Sequence, residues 1–365
     1  MGAGRATRFG LAPKKQWLYS DEKPLWLYVS DHFSSLYDFS KIIIVSSLEE
    51  IGLMKYFAEY HYVEGGNSRQ QSLSNALKHV KTPLVMVSDI ARCCLDREMI
   101  ERLLNASDKA DCVIPALPVI DTLYVGKHPM DRTGAKRIQT PQLSRTEVLK
   151  GALKSKTEYT DESSAIAASG GSIHFVDGSE NAHKLTTVDD LSKLPCLKKP
   201  SNRSLIGFGI DIHPFEEGKC MKLCGVEINV PYGFKAHSDG DVAIHAVIDA
   251  LLGAAGFGDI GESFPDTDMQ YAAADSGELL GKTVELIRHC GLVIGNVDLT
   301  IIAQKPKLQT YKEAMRRRLS TLLGIRPNFV NIKATTAEKL GFLGREEGVA
   351  VEAVANLTYF DWTDK

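Results

Sequence analysis

Residues 207–215 read G-F-G-I-D-I-H-P-F, and residues 236–253 read A-H-S-D-G-D-V-A-I-H-A-V-I-D-A-L-L-G. The first stretch has the short apolar and glycine pattern of a buried strand. Residues two apart on a strand point to the same face, so Asp211 and His213 can reach one ion together. The second stretch reads as a helix beginning near Ser238 or Asp239, either of which can cap it. On that helix Asp241, His245 and Asp249 fall at i, i+4 and i+8 and share a face, while Val242, Ala246, Val247, Ala250 and Leu251 supply the apolar side. Asp211, His213 and His245 then form a three-ligand set of mixed nitrogen and carboxylate character, which suits zinc with one position left open.

Around this core the second half of the chain has a mixed α/β pattern. Strands are predicted near 205–213, 293–303, 329–335 and 348–360, with helices near 239–254, 276–290 and 308–323, the last stopping at Gly324. The segment 194–204, L-P-C-L-K-K-P-S-N-R-S, is polar, lacks periodicity and holds two prolines, so it reads as a linker. Before it, apolar runs at 41–47, 84–89 and 111–118 alternate with amphipathic stretches at 69–77 and 96–104. That βαβ alternation predicts a mostly parallel, Rossmann-like sheet covered by helices. The expected organisation is one domain over 1–194, a linker over 195–204 and a second domain over 205–365. Two domains also suit 365 residues at about 150 residues per domain.

Bulk composition narrows the function classes. Hydrophobic residues make up 44% and charged residues 24%, with a net charge of -3, which argues against a nucleic-acid binder or an anionic-membrane binder. The sequence contains no apolar run long enough to span a bilayer and no secretory pattern after Met1. Seven scattered cysteines predict thiols in a reducing cytoplasm, not a disulfide framework.

The first half opens on small residues, Gly2, Ala3, Gly4, Arg5, Ala6, Thr7 and Arg8, followed by Lys14 and Lys15. Small residues let backbone N–H groups approach a phosphate, and the cations complete the charge match. G-G-N-S-R-Q-Q-S at 65–72 is a tight turn entering a helix. S-D-I-A-R at 88–92 places Asp89 and Arg92 after a buried strand, where ligands of open α/β sheets collect and where a carboxylate can hold Mg²⁺.

These blocks, with K-K-Q-W-L, D-R-T-G-A-K-R-I-Q-T-P-Q, T-D-E-S-S-A and H-K-L-T, resemble the 2-C-methyl-D-erythritol 4-phosphate cytidylyltransferases over nearly all of residues 2–191. The resemblance implies transfer of a cytidylyl group from CTP to that sugar-alcohol phosphate, with release of pyrophosphate. It assigns Arg8 and Lys15 to the transition state at the α-phosphate and Asp89 to Mg²⁺. Arg132 and Lys184 would position the erythritol phosphate, with Arg92, Thr122, Thr140 and Thr186 nearby. Ala3, Gly4, Gly66, Asn67 and Ser72 would border the cytosine. Two departures stand out. Asn67 occupies a position where most relatives carry Asp, and the family's apolar strand before the glycine loop is not seen ahead of Gly2. The alternatives for the second are a start assigned too late or a true loss.

Residues 205 to about 362 resemble the 2-C-methyl-D-erythritol 2,4-cyclodiphosphate synthases through G-x-D-x-H-x-F, A-H-S-D-G-D-V, L-L-G-A-A-G-x-G-D-I-G, F-P-D-T-D, I-I-A-Q-K-P-K, K-A-T-T-A-E-K-L-G-F and G-R-E-E-G. The resemblance implies that Asp211, His213 and His245 bind a divalent ion, usually zinc, that polarises the β-phosphate of the cytidine diphosphate substrate. Glu338 would help place Mg²⁺ or Mn²⁺ between the α- and β-phosphates. The substrate's 2-phosphate then attacks the β-phosphorus and expels CMP, with His237 and Thr336 stabilising the transition state. Ala303, Lys307, Leu308, Thr335 and Glu338 would cradle the nucleotide. Ser238, Asp259, Gly261, Phe264, Asp266 and Asp268 would bind the erythritol end. Phe342, Arg345 and Glu352 match residues lining a central channel of the family trimer.

The combined reading is a fused bifunctional enzyme with small-molecule substrates, dimeric N-terminal and trimeric C-terminal contacts, and the pathway kinase as a candidate partner. The alternative for the N-terminal half is a weakly active scaffold. G-E-L-L-G-K-T at 277–283 is set aside as a phosphate loop because it falls one residue short between its glycines and lies in a helical pattern. Arg316, Arg317 and Arg318 read as a solvated helix face or an oligomer contact.

Overall fold

A computed structural model describes residues 9–236, 238–265 and 274–364. Ala3, Gly4, Arg8, His237, Asp266 and Asp268 lie outside them. The chain divides into two compact units, Met1–Lys199 and Pro200–Lys365.

In the first unit a two-residue ladder joins β1 (Tyr19–Ser20) to β2 (Lys23–Pro24), ahead of α1 (Leu25–Leu36). Next come β3 (Ile43–Ser46), α2 (Leu48–Met54), β4 (His61–Glu64), α3 (Arg69–Leu77), β5 (Leu84–Val87), α4 (Arg97–Asn105) and β6 (Cys112–Pro118). β7 (Leu123–Val125) and β8 (His128–Met130) form an exposed hairpin. β9 (Lys136–Ile138), β10 (Gln142–Arg145), α5 (Thr146–Ala152), α6 (Glu162–Ala168) and β11 (Ile173–Asp177) complete the unit. β3–β4 and β6–β11 pair in parallel, as the βαβ alternation predicts. β10 runs antiparallel between β5 and β6, however, so the sheet is mixed. The sequence hid this because β10 is a four-residue strand carrying polar Gln142 and Ser144, both buried.

Leu73, Leu77, Ile114, Leu149 and Ile166 anchor one core cluster. Trp17 and Trp26 are fully buried and meet edge to face at 6.1 Å. β3 and β5 also border an apolar cavity of about 610 Å³ lined by Ile43, Ile44, Val45, Leu84, Val85 and Met86. Among the described residues β3 pairs only with β4 and β5 only with β10. One cysteine expectation is corrected: Cys94 and Cys196 form a disulfide across 102 residues of sequence. No local spacing signals such a pair.

The second unit holds a five-stranded sheet in the order β15-β12-β18-β16-β17. Its elements are β12 (Leu205–Glu217), β13 (Met221–Leu223), β14 (Val226–Ile228), β15 (Tyr232–Phe234), α7 (Val242–Ala255), α8 (Ile260–Ser263), α9 (Ser276–His289), β16 (Leu292–Ile302), α10 (Lys312–Leu323), β17 (Val330–Thr335), α11 (Gly341–Gly344) and β18 (Gly348–Tyr359). All four strands and three helices predicted for this half are present. Gly324 ends α10 in the left-handed conformation at φ 65°, as a C-terminal glycine stop should. The near-miss phosphate loop lies inside α9. Arg316 and Arg317 pair with Glu313 on the surface of α10.

α7 is apolar almost all round, with Val242, Ile244, Val247, Ile248, Leu251 and Leu252 buried, which marks a central helix. Its N-cap is Asp241, two or three residues later than Asp239 or Ser238, and the carboxylate accepts from Ile244 N at 3.1 Å. Asp241 also accepts from the backbone N–H groups of Cys224 and Gly225, at the β13–β14 turn. It is fully buried, and its three backbone hydrogen bonds clamp the start of α7 to the β13–β14 turn. Burial pushes its carboxyl up against those three bonds.

Candidate metal centre and phosphate sites

The metal centre forms where β12 meets α7. Asp211 and His213 project from the same face of β12, and His245 projects from the first turns of α7. Asp211 Oδ2 lies 3.0 Å from His213 Nε2 and 3.1 Å from His245 Nδ1. One ligand atom from each residue lies within 4.8 Å of the others, so the three could hold a metal ion. The strand and helix come this close because Gly207 and Gly209 face α7: an added Cβ at Gly209 would stand 2.1 Å from the Ala246 carbonyl oxygen. The G-x-D-x-H pattern thus joins a packing requirement to a ligand pair.

The outer nitrogens are also partnered. His213 Nδ1 lies 3.1 Å from the Gly240 carbonyl, which only accepts, so that nitrogen carries the proton and Nε2 turns to Asp211. His245 Nε2 contacts Ser276 Oγ at 2.9 Å and Ser238 Oγ at 3.4 Å. Burial penalises the Asp211 carboxylate, but hydrogen bonds from both histidines outweigh it and hold its pKa well below the usual range. For His213, burial works against protonation while Asp211 raises its pKa, with a net upward shift. Two imidazole nitrogens and an ionised carboxylate converging on one point fit a zinc-type divalent ion, which would take the inner nitrogen of each ring in place of its proton.

Thr335 ends β17 and Thr336 follows it, and Thr336 Oγ1 donates to Glu338 Oε1 at 2.6 Å. Glu338 and Lys339 adopt φ 49° and 63°, a left-handed pair uncommon for non-glycine residues. Ala303 N donates to Thr335 O at 3.0 Å, which ties the 303–308 segment carrying Lys307 and buried Leu308 to this loop. Asp259 caps α8 by accepting from Glu262 N, and Gly261 and Phe264 belong to or adjoin that turn. Arg345 pairs with Glu347 at 2.6 Å. Phe342 is exposed, and Glu352 lies on β18 opposite Ile210.

In the first unit Asp89 follows β5 and joins Lys184 at 2.7 Å and Arg69 at 3.4 Å. Arg69 is held in turn by Glu162 at 2.7 Å, whose side chain is fully buried. Burial opposes ionisation of Asp89, yet the Arg69 and Lys184 charges outweigh it and hold its pKa at about 2. Arg69 and Glu162 were missed as site residues, although both fall inside the quoted blocks. Their signal was a cation opening α3 and an acid opening α6.

Thr140 Oγ1 accepts from Asp89 N at 3.4 Å. Thr186 N donates to Asp190 Oδ2. Gly66 N donates to Ser72 Oγ at 2.9 Å, and Asn67 N to Gln71 Oε1 at 2.8 Å, shaping the turn into α3. Lys15 Nζ reaches the Leu185 carbonyl at 2.6 Å. Arg92 is buried beside Asp89 and donates to the carbonyls of Ala182 and Ile138. Thr122 and Arg132 flank the exposed hairpin, where Arg132 donates to the Ile120 carbonyl.

Comparison with known proteins agrees with both halves. The 2-C-methyl-D-erythritol 4-phosphate cytidylyltransferase family model matches residues 1–195, and the YgbB family model matches residues 204–358. The bifunctional enzyme IspD/IspF of a Sulfurovum species is 62% identical over 365 residues, covering 100% of this chain and 98% of the relative. Its counterpart from Sulfurimonas denitrificans is 54% identical over 363 residues, covering 100% and 94%. The solved structure of bifunctional IspDF from Campylobacter jejuni matches with a TM-score of 0.89 at 48% identity, over 99% of this chain and 97% of that one. The chain therefore belongs to the bifunctional IspD/IspF family, an enzyme joining a cytidylyltransferase domain and a cyclodiphosphate synthase domain of the non-mevalonate isoprenoid route.

Proposed function

We propose that the second unit closes the 2,4-cyclodiphosphate ring at the Asp211–His213–His245 centre, and that the first unit transfers the cytidylyl group beside Asp89. The convergence of Asp211 Oδ2, His213 Nε2 and His245 Nδ1 carries the reading. A zinc ion bound there would supply Lewis acidity toward a phosphate oxygen. The chain's own work is orientation: the Thr335–Glu338 turn presents its hydroxyls and carboxylate to the nucleotide phosphates, and the Asp259 turn receives the erythritol end. Mg²⁺ or Mn²⁺ would accompany the phosphates in both sites, through Glu338 in one and Asp89 in the other. Asp211→Ala and His245→Ala are expected to abolish CMP release from CDP-methylerythritol 2-phosphate. Undiminished turnover would sink the metal assignment.

In the first unit the attacking phosphate monoester is already anionic and needs no general base. Lys184, Arg132, Lys15 and Arg8 would orient it and offset charge at phosphorus. Incubation with CTP, Mg²⁺ and methylerythritol phosphate should release pyrophosphate. CTP binding measured by calorimetry separates this from the scaffold alternative, which predicts none while ring closure persists.

Assembly is proposed from exposed apolar surface. Ile206, Phe208, Ile210 and Ile212 share the open face of β12, with Val354 on β18, a patch that suits trimeric packing. Ile120, Tyr124, Val125 and Met130 on the hairpin arm suit a dimer contact. Residues 195–204 serve as the linker between the two activities, and the pathway kinase remains a candidate partner. We assign the enzyme to the cytoplasm, where CTP is supplied. No helix of the described residues is long and apolar enough to cross a membrane.

A further inference from the structure

We propose that Ser276 and Asp239 act as a positioning relay that fixes the tautomer of His245 and so sets the metal affinity of the centre. The inference rests on the metal reading above. Ser276 is the first residue of α9 and is fully buried. It does not cap that helix, because Asp275 accepts from Gly277 N and Glu278 N. Its hydroxyl is free for another task, and it donates to Asp239 Oδ1. A carboxylate can only accept, so the Ser276 proton is committed to Asp239 and the remaining lone pairs face His245 Nε2 at 2.9 Å.

His245 Nε2 must therefore carry its ring proton. That leaves Nδ1, the nitrogen directed at Asp211 Oδ2 at 3.1 Å, as the one whose lone pair a metal ion would take. Lys222 Nζ, 3.4 Å from Asp239 Oδ2, pairs with the carboxylate and holds it in place. The segment 238–240 serves both histidines: the Gly240 carbonyl holds His213 Nδ1, and Asp239 acts on His245 through Ser276. The far hydrogen bond of a ligating histidine orients the ring and raises its basicity, and its loss typically costs about 10–100-fold in metal affinity.

Asp239→Asn is informative because it is nearly isosteric. An amide turned toward Ser276 would donate to Oγ, and the serine proton would swing toward His245 Nε2. The imidazole would then be driven to the wrong tautomer, as when the buried carboxylate of a catalytic triad is replaced by its amide.

The test uses full-length protein, with zinc affinity measured by chelator competition and the His245 tautomer read by ¹⁵N NMR of the metal-free protein. Ser276→Ala and Asp239→Asn should each weaken zinc binding by about 10–100-fold. The double variant should lose no more than the weaker single, because both act through one hydrogen bond. In the wild type His245 Nε2 should carry a proton, and in Asp239→Asn that nitrogen should lose it, with Nδ1 staying bonded to Asp211. Ser276→Thr, which keeps the hydroxyl, should restore affinity. Wild-type zinc binding by Ser276→Ala and Asp239→Asn, with binding lost in Asp211→Ala, would overturn the relay alone. Wild-type binding by Asp211→Ala as well would overturn the metal reading beneath it.

Discussion

Replacing Gly209 by alanine tests whether the metal centre depends on backbone contact between β12 and α7. The added Cβ would stand 2.1 Å from Ala246 O, 2.7 Å from Ala250 N and 2.9 Å from Asp249 Cβ. Ordinary contact begins at 3.4 Å, so strand and helix must part by about 1.3 Å, the difference between 3.4 and 2.1. Two of the three obstacles are backbone atoms of a buried helix and cannot rotate away. Asp211 lies two residues along the strand and His245 beside Ala246, so the displacement falls on the ligand pair that is now 3.1 Å apart. Metal sites accept deviations of about 0.2 Å, so zinc affinity should fall by at least the roughly 10–100-fold that a lost outer-shell bond costs. Overpacking should also remove about 1–3 kcal/mol or more of stability. Gly253→Ala on the same helix is the control. Its Cβ would meet only Phe208 O, at 3.9 Å, and helix propensity favours alanine there by about 1 kcal/mol. Thermal unfolding of the metal-free proteins and chelator competition provide both readouts. Gly209→Ala that melts and binds zinc like Gly253→Ala would refute the close-contact argument.

Two further outcomes are expected. Asp89 is held near a pKa of about 2 in the fold against roughly 4 when unfolded. Its contribution to stability is therefore full above pH ~4 and lost as pH falls toward 2, so Asp89→Asn should flatten that part of a urea-unfolding pH series, and an unchanged acid limb would contradict the pairing. Phe208→Glu places a charge on the exposed apolar face of β12 and should lower the assembly mass by light scattering; an unaltered mass would exclude that face as an interface.

Periodicity and glycine chemistry made most of the second unit legible. Alternation along 205–213 and a wholly apolar helical run gave β12 and α7, and two-residue spacing placed Asp211 with His213. The cap of α7 was misplaced because Ser238, Asp239 and Asp241 are all good caps locally. Tertiary contact chose Asp241, since only its carboxylate also meets the Cys224 and Gly225 amides. In the first unit short strands with buried polar residues concealed the antiparallel β10. The position of Arg92 after a strand placed it near the site, but its hydrogen bonds to the carbonyls of Ala182 and Ile138 were not legible there. Such partners are distant in sequence and leave no local trace. The same holds for the Cys94–Cys196 bond and for the Arg69–Glu162 pair.

The two sites solve one chemical problem by different means. In both reactions an anionic phosphate oxygen attacks phosphorus, so neither needs a residue to remove a proton, and each needs charge held in place before substrate arrives. The first unit holds charge by cross-pairing: Glu162 fixes Arg69, and Arg69 and Lys184 share Asp89. A divalent ion held by Asp89 would compete with those cations for the carboxylate and would free Lys184 to face a phosphate. The second unit holds its charge by orientation, with each histidine's outer nitrogen tied to the 238–240 segment directly or through Ser276. The first site should therefore tolerate small displacements, since long cationic side chains can follow a moving carboxylate, while the second should not, since its ligand atoms sit on a strand and a helix locked by glycine contact. Ionic strength should consequently weaken substrate binding in the first unit more than metal retention in the second.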